Sequence, residues 1–337
     1  MTRKRDVWFV LPDGIDDPER VSGGNIYDRQ LRQGLAARGW MLRMAPVADG
    51  ASASAAIAAV ASDGIVLVDG LVAGWAPDAV EAASTRIPVV IIAHMISSSI
   101  PGAIDDLVNS ETRALRSASM VIATSEWTAG ELVRLGVVDG DRVTVARPGS
   151  REATRLTGAD HRALLCVGAI APHKGQDVLL VALGLLTDYP WGCTLVGSQT
   201  VDPDYAARIT AVASEFGDRI RMPGVLHGAA LDRAYQRAGL LVAPSRAESF
   251  GMAVADARSR GLPVLASDVG GIPEAIAGGG ALFVPPDDPF ALADALGKWF
   301  TEPTLRSRLQ HQAELGSLTV PRWADTVDRV DRVLETI

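Results

Sequence analysis

The hydrophobic residues of this chain occur in short runs that are separated by longer amphipathic segments. In the first half, runs rich in Val, Ile and Leu predict strands at 7–11, 41–45, 65–69, 88–92, 120–124 and 143–146. In the second half, similar runs predict strands at 163–168, 193–197, 219–224, 240–244, 263–267 and 281–285. Because these runs are apolar throughout and do not alternate, they are typical of parallel strands buried on both faces.

The segments between the strands have helical periodicity. In residues 26–39, Leu31 and Leu35 lie near one face of a helix, and Asp28 precedes Arg32 by the four residues that suit a helical ion pair. Further helices are predicted at 51–62, 175–186, 203–215, 230–237, 251–260, 289–300 and 303–315, with one more in the closing segment TVPRWADTVDRVDRVLETI. Alternating strands and helices predict doubly wound α/β sheets.

The alternation stops once, at the polar segment 147–161, RPGSREATRLTGADH, which contains a Pro-Gly turn. We interpret this segment as an interdomain linker. A length of 337 residues suits two domains of this kind. Since ligands of such sheets bind at the carboxyl ends of the strands, we expect the site in a cleft between two facing domains.

Composition and charge narrow the class of protein. Residues 1–150 carry 14 basic and 18 acidic side chains and the remainder carries 18 and 22, so each half has a net charge of −4. This balance predicts no nucleic-acid partner and gives no support to membrane association. The apolar run after the basic start MTRKRD is too short for a signal or a membrane span. We expect a cytoplasmic protein and leave open a peripheral position at the inner membrane face.

Two cysteines, Cys166 and Cys193, lie in apolar runs without the spacing of metal ligands. They are typical of buried thiols in a reducing compartment.

A pair of glycines opens the first predicted helix, in Ser22-Gly23-Gly24-Asn25. Paired glycines allow backbone N–H groups to approach an anion at a helix N-terminus. The alternative is an ordinary turn with Asn25 as the N-cap. Neither this segment nor VGAIAPHKG has the Gly-x-Gly-x-x-Gly spacing, which disfavours a dinucleotide dehydrogenase.

Lys174 follows the first strand of the second domain, at the start of a helix. A cation there is unfavourable for the helix dipole unless it meets a phosphate. The alternative is a solvated surface lysine.

Two carboxylates eight residues apart stand out in the segment 245–265, SRAESFGMAVADARSRGLPVL. Glu248 lies in the loop after a strand, and Asp256 lies on the next helix. Carboxylates accept hydrogen bonds from the vicinal hydroxyls of sugars, and the helix start leaves backbone donors at Ser249, Phe250 and Gly251. The alternative is an acid that favours the helix dipole together with a solvated second acid.

As an ordered set, these motifs resemble the family four retaining nucleotide-sugar glycosyltransferases, which have the two-domain GT-B fold. The matching segments are Gly23-Gly24-Asn25, Arg147-Pro148-Gly149, VGAIAPHKG, LVGS, PSRAESFGMAVADARSRGLPVLASDVGGIPE and ALFVPPDDPFALADAL. The resemblance covers most of the chain and is strongest over 163–296. It implies an acceptor-binding domain at 1–148, a donor-binding domain at 149–317, and a C-terminal helix at 318–337 that packs back on the first domain.

The resemblance also implies roles for individual residues. Glu248 contacts the donor sugar hydroxyls, Asp256 the ribose hydroxyls, and Lys174 the diphosphate. The implied catalytic set is His94, Lys174 and Glu248, in which His94 lies close to the reacting sugar and is not assigned as a general base. The implied donor-binding set is Gly23, Gly24, Asn25, Ser249, Phe250, Gly251 and Asp256, with Phe250 and Gly251 acting through their backbone.

Two positions depart from the family pattern. Asp256 replaces a glutamate, which shortens the side chain by roughly 1.5 Å. Gly168-Ala169-Ile170 replaces Gly-Arg-Leu, so one diphosphate-binding cation is missing. Arg147, His173 and Arg246 are open as its replacement.

The resulting hypothesis is transfer of a hexosyl group, with retention, from a UDP- or GDP-linked sugar to an acceptor hydroxyl. The acceptor is a sugar, a lipid-linked sugar or a small molecule. In the family the leaving phosphate takes the acceptor's proton. We expect no cofactor and no metal. The alternatives are a phosphorylase or epimerase on the same fold, and a non-catalytic nucleotide-sugar binding protein.

Overall fold

The computed structural model describes residues 5–150 and 160–337, so most of the predicted linker at 147–161 lies outside the described residues. The described residues divide into two compact units. One contains 5–17, 23–149 and 321–337, and the other contains 18–22, 150 and 160–320. Each unit has its own sheet of six parallel strands.

The first unit is a six-stranded sheet with helices on both faces. Its strands are β1 (Asp6–Pro12), β2 (Met41–Val47), β3 (Ile65–Asp69), β4 (Val89–Ala93), β5 (Met120–Ala123) and β6 (Val143–Val145), in the order β2-β1-β3-β4-β5-β6. Its helices are α1 (Gly23–Ala37), α2 (Gly50–Ala58), α3 (Gly70–Trp75), α4 (Pro77–Ser84), α5 (Asp105–Ser117) and α6 (Glu126–Arg134).

The second unit repeats this plan. Its strands are β7 (Asp160–Val167), β8 (Gly192–Val196), β9 (Ile220–Gly224), β10 (Ala238–Ala243), β11 (Val264–Ser267) and β12 (Ala281–Val284), in the order β12-β11-β10-β7-β8-β9. Its helices are α7 (Gln176–Gly184), α8 (Pro203–Ser214), α9 (Gly228–Arg237), α10 (Met252–Ser259), α11 (Ile272–Ala275), α12 (Pro289–Thr301) and α13 (Pro303–Gly316).

The last helix, α14 (Trp323–Thr336), belongs to the first unit, where it packs against α1. Val327 and Val330 are buried in the core that also holds Leu31 of α1. The Trp40 indole N–H donates a hydrogen bond of 2.6 Å to Asp331 Oδ1. Each fully buried aliphatic side chain of this kind contributes roughly 1.5–3 kcal/mol, so this helix is an integral part of the first unit's core.

The apolar runs of the sequence are strands buried on both faces, as expected. Every residue of β3 and β4 is buried. The predicted α/β fold of two doubly wound sheets is confirmed. In the described part of the chain, no helix combines the length and the apolarity that crossing a bilayer requires.

Two details of the first helix differ from the sequence-based expectation. Helix α1 begins at Gly23, so Asn25 lies inside its first turn and is not the N-cap. The predicted ion pair between Asp28 and Arg32 is wrong, because Arg32 binds Asp16 at 2.7 Å. Asp28 is instead buried and faces His94. The helix predicted at 51–62 ends at Ala58.

Strand order determines which loops can meet. In the first sheet β1, β3 and β4 are adjacent, so their carboxyl ends bring together the start of α1, the end of β3 and the residues after β4. In the second sheet β7 and β10 are adjacent, which brings together the loops that contain Lys174 and Glu248.

Candidate functional site

Three polar side chains meet at the carboxyl edge of the first unit's sheet. They are Asp28 on α1, Asp69 at the end of β3 and His94 directly after β4. His94 Nε2 lies 2.9 Å from Asp28 Oδ1 and 3.4 Å from Asp69 Oδ2. Asp28 is 1% exposed and Asp69 is 5% exposed. Two nearly dehydrated carboxylates therefore face the same imidazole nitrogen.

Local structure holds each member of this cluster in place. The Asp69 carboxylate caps α3 by accepting a hydrogen bond from Leu71 N at 2.7 Å. The Thr124 hydroxyl donates to the backbone oxygen of His94 at 3.3 Å. A Cβ atom at Gly24 would lie 3.2 Å from His94 Cδ2, so glycine allows the first turn of α1 to rest on the imidazole. The structure thus brings together Gly24 and His94, two of the residues predicted from sequence.

The carboxylates determine the charge of the imidazole. Burial by itself lowers the pKa of His94, but the negative charges of Asp28 and Asp69 outweigh this effect and raise it to about 9. Burial raises the pKa of Asp69 to about 6, against the opposing influence of His94. His94 therefore carries its extra proton at neutral pH, which is unsuited to a general base.

The same three side chains are the residue types that bind metal ions. Their ligand atoms all lie within 4.8 Å of one another. The ring nitrogen already faces both carboxylates at hydrogen-bonding distance, so we interpret the cluster as an ion-paired network. Metal independence stays a prediction.

Lys174 and Glu248 form the corresponding feature of the second unit. Lys174 ends the 3-10 turn Pro172–Lys174 that follows β7, and Glu248 lies in the loop after β10. Lys174 Nζ lies 2.5 Å from Glu248 Oε2, and the two side chains are 21% and 13% exposed. Two residues that are 74 positions apart in sequence are thus in direct contact.

Backbone contacts hold the loop of Glu248 from two sides. Arg246 N donates to His173 O at 2.8 Å, which joins this loop to that of Lys174. On the other side, Gly270 has φ +58°, and a Cβ atom there would lie only 1.7 Å from Glu248 O. Gly271 N donates to that same oxygen at 3.1 Å. The sequence analysis gives no role to Gly270 and Gly271, although a Gly-Gly pair shortly after a strand is a signal for a close backbone approach.

Arg246 links these loops to the rest of the second unit. Its guanidinium makes two parallel hydrogen bonds of 2.8 Å to Asp177 and a further one of 2.8 Å to Asp287. Burial opposes ionisation of Asp177, but Arg246 and Tyr205 lower its pKa overall. Because these carboxylates are 69 and 41 residues away in sequence, no local pattern indicated the network.

The sequence leaves three replacements for the family arginine open: Arg147, His173 and Arg246. Each of them is either neutral or ion-paired with an acidic side chain. Arg246 is held by Asp177 and Asp287. Burial and then the charge of Lys174 lower the pKa of His173 to about 4, so it is neutral at pH 7. Arg147 belongs to the first unit, where it pairs with Glu126 at 3.0 Å.

The other donor-site candidates of the second unit surround the start of α10. Phe250 is 4% exposed and its ring packs in the core, and Ser249 is 8% exposed. Helix α10 begins directly after Gly251, so the backbone of this segment is what could contact a ligand. Asp256 lies on α10 with Oδ1 3.8 Å from Arg260 Nη1.

Comparison with known proteins finds similarity to glycosyltransferases. Residues 153–315 match the family model described as glycosyl transferases group 1. This segment contains Lys174, Glu248 and Asp256.

Two curated relatives carry the same name, D-inositol 3-phosphate glycosyltransferase. The protein from Streptomyces scabiei (strain 87.22) is 34% identical over 224 residues, which are 59% of this chain and 50% of the relative. The protein from Mycolicibacterium smegmatis (strain ATCC 700084 / mc(2)155) is 33% identical over 242 residues, 65% of this chain and 53% of the relative. The matches thus span about half the length of these relatives.

Two solved structures share the fold over nearly the whole chain. Sucrose-phosphate synthase from Thermosynechococcus elongatus superposes with a TM-score of 0.84 at 21% identity, over 98% of this chain and 99% of that one. Anabaena Alr3699/HepE in complex with UDP-glucose superposes with a TM-score of 0.77 at 17% identity, over 98% and 100%. At these identities, the likeness shows the fold alone.

Proposed function

We propose that this protein is a retaining glycosyltransferase that moves a hexosyl group from a nucleoside diphosphate sugar to an acceptor hydroxyl. The observation that carries the proposal is the contact between Lys174 and Glu248 at the carboxyl edge of the second sheet. An ammonium suits a diphosphate, and a carboxylate suits sugar hydroxyls. A donor that places its phosphate–sugar bond here engages both groups at once.

The proposed roles follow from this placement. Lys174 stabilises the negative charge that develops on the departing diphosphate, which is usually the largest catalytic contribution in such reactions. Glu248 orients the sugar through its hydroxyls, and Asp256 contacts the ribose. The first turn of α1, at Gly23, Gly24 and Asn25, offers backbone N–H groups of the kind that bind phosphate.

The donor competes with the ion pair between Lys174 and Glu248. A diphosphate oxygen replaces the carboxylate as the partner of the ammonium, while sugar hydroxyls replace the ammonium as the partner of the carboxylate. Because each group exchanges one charge-assisted hydrogen bond for another, neither is left buried without a partner. A nucleotide without the sugar leaves Glu248 unpaired, and a sugar without the diphosphate leaves Lys174 unpaired.

The proposed donor is UDP-linked, since HepE, which shares the fold, is described in complex with UDP-glucose. Isothermal titration calorimetry with UDP, GDP, UDP-glucose and glucose tests the proposal. We expect the intact donor to bind more tightly than UDP, and glucose alone to bind too weakly to detect. Equal affinities for UDP-glucose and UDP would show that the sugar makes no favourable contact in this site. Binding of neither UDP nor GDP would contradict the proposal.

A second candidate, a nucleotide-sugar binding protein without transferase activity, is favoured by one observation. Ala169 stands where the family has an arginine, and the three replacements considered are neutral or ion-paired elsewhere. Donor binding without release of UDP, over a panel of sugar, lipid-linked and small-molecule acceptors, would favour this candidate. We rank the transferase first, because Lys174 by itself supplies a positive charge to stabilise the leaving diphosphate.

A further inference from the structure

Two side chains beside His94, Asp28 and Asp69, have no role in the function proposed above. Both direct a carboxylate oxygen at the same ring nitrogen, Nε2, at 2.9 and 3.4 Å. An unprotonated nitrogen would present a lone pair to two carboxylate oxygens, whereas a protonated one donates a hydrogen bond to Asp28 and lies at ion-pair distance from Asp69. The geometry therefore places a proton on Nε2.

The second ring nitrogen is differently placed. In the part of the chain that the structure describes, the polar contacts of the imidazole are made through Nε2, and the side chain is 16% exposed. The ring is fixed by Gly24 against one edge and by the Tyr27 ring, whose centroid lies 5.1 Å away at an interplanar angle of 77°. Nδ1 is thus the atom through which the ring can meet a ligand.

We propose that Asp28 and Asp69 are positioning residues that hold His94 as an imidazolium, so that Nδ1–H is a fixed, positively charged hydrogen-bond donor to an oxygen of a ligand bound at the carboxyl edge of the first sheet. Only the identity of that ligand rests on the proposed function. The groups that face the ring are Asp28 and Tyr27 from α1 and Asp69 from β3. Burial raises the pKa of Tyr27 well above its usual value, so its ring is neutral at pH 7. The net charge of the carboxylates favours a doubly protonated ring, because a neutral ring would leave both without a cationic partner.

The direct test is NMR titration of ring resonances in the full-length chain with labelled histidine. The chain has five histidines, and His94→Gln identifies the resonances of His94. We expect the ring of His94 to remain doubly protonated at pH 8. In Asp28→Asn, which retains an acceptor oxygen but loses the charge, we expect its titration midpoint to fall by at least one pH unit. Asp69→Asn should give a smaller fall, since its oxygen is farther from the ring.

A matched control is Asp16→Asn, which removes an exposed carboxylate of the same unit that pairs with Arg32. It should leave the titration of His94 unchanged. A wild-type midpoint near the ordinary value of about 6.5 overturns the proposal. So does an Asp28→Asn midpoint equal to that of the wild type. If Asp28→Asn does not fold, the titration of His94 in the wild type and in Asp69→Asn still tests the proposal.

The pH dependence of turnover gives a second readout. Activity should fall as the pH rises through the titration of His94, and Asp28→Asn should move this alkaline limb to lower pH with little change in KM for the donor. A purely structural role would lower activity equally at every pH. The NMR result does not depend on turnover, so a protein with a charged His94 and no transferase activity would contradict the proposed function but not the charge that Asp28 and Asp69 impose on His94.

Discussion

His94 in the first unit and His173 in the second occupy comparable places with opposite outcomes. Each lies in the connection that follows a strand of its sheet, and burial lowers the pKa of both rings. Asp28 and Asp69 reverse this effect at His94 and raise its pKa to about 9. Lys174 reinforces it at His173, whose pKa falls to about 4. Burial favours a neutral ring at both places, and neighbouring carboxylates reverse that preference at His94 only.

The two units thus differ in the kind of cation that lies at the edge of the sheet. The first presents an imidazolium that is held by carboxylates, and the second presents an ammonium, Lys174, beside a neutral imidazole. Each unit therefore has one cation at the carboxyl edge of its own sheet.

Glu248→Gln should have the largest effect. We expect turnover to fall at least about a hundredfold, because the amide is a weaker acceptor for sugar hydroxyls and no longer balances Lys174. The rate of UDP release from UDP-glucose, with and without acceptors, measures the turnover. Glu215→Gln, in an exposed glutamate at the end of α8, is the matched control. A Glu248→Gln enzyme within twofold of the wild type would remove Glu248 from the sugar site.

The charge of His94 should appear in the pH dependence of stability. Its pKa is raised on folding, so its stabilising contribution is complete below about pH 6.5 and is lost as the pH rises through about 9. At 1.36 kcal/mol per pKa unit, the loss is at most about 3 kcal/mol. Tm measured from pH 6 to 10 should fall more steeply in the wild type than in His94→Gln. The exposed His311→Gln is the control, and parallel curves for wild type and His94→Gln would refute the charge assignment.

Lys174→Ala should weaken UDP binding by roughly ten- to a hundredfold, as expected for the loss of one charge-assisted hydrogen bond. The same change should raise the pKa of His173, because Lys174 contributes to lowering it. Calorimetry and histidine NMR measure the two effects. Lys298→Ala, in an exposed lysine paired with Asp294, is the control. An unaltered Kd for UDP would contradict the phosphate role.

Asp256→Glu should have the smallest effect, a gain of a few-fold in donor affinity. The longer side chain restores the reach of roughly 1.5 Å that the family glutamate has. Calorimetry with UDP-glucose measures it, and Asp232→Glu, in the other carboxylate beside Arg260, is the control. A weaker affinity than that of the wild type would show that the site is adapted to aspartate.

The fold was largely predictable from the sequence because it rests on local periodicity. Runs such as 65–69 are wholly apolar, and such runs form central parallel strands. The positions of Lys174 and Glu248 in connections that follow strands were also predicted, whereas the adjacency of those two strands, β7 and β10, was not.

The electrostatic partners were not predictable in this way. Asp28 has the spacing of a surface ion pair with Arg32, yet strand order turns it toward a histidine that is 66 residues away. The Arg246 network joins loops separated by 41 and 69 residues. Such contacts depend on which strand ends are neighbours, and no local pattern records that.

The central claim is that a nucleoside diphosphate binds beside Lys174. Titrating UDP into the histidine-labelled full-length chain, with NMR observation of His173, tests it most directly. The account predicts a saturable shift of the His173 ring resonances, with the Kd found by calorimetry, and no such shift in Lys174→Ala. UDP binding that leaves His173 unmoved, or that persists undiminished in Lys174→Ala, would contradict it.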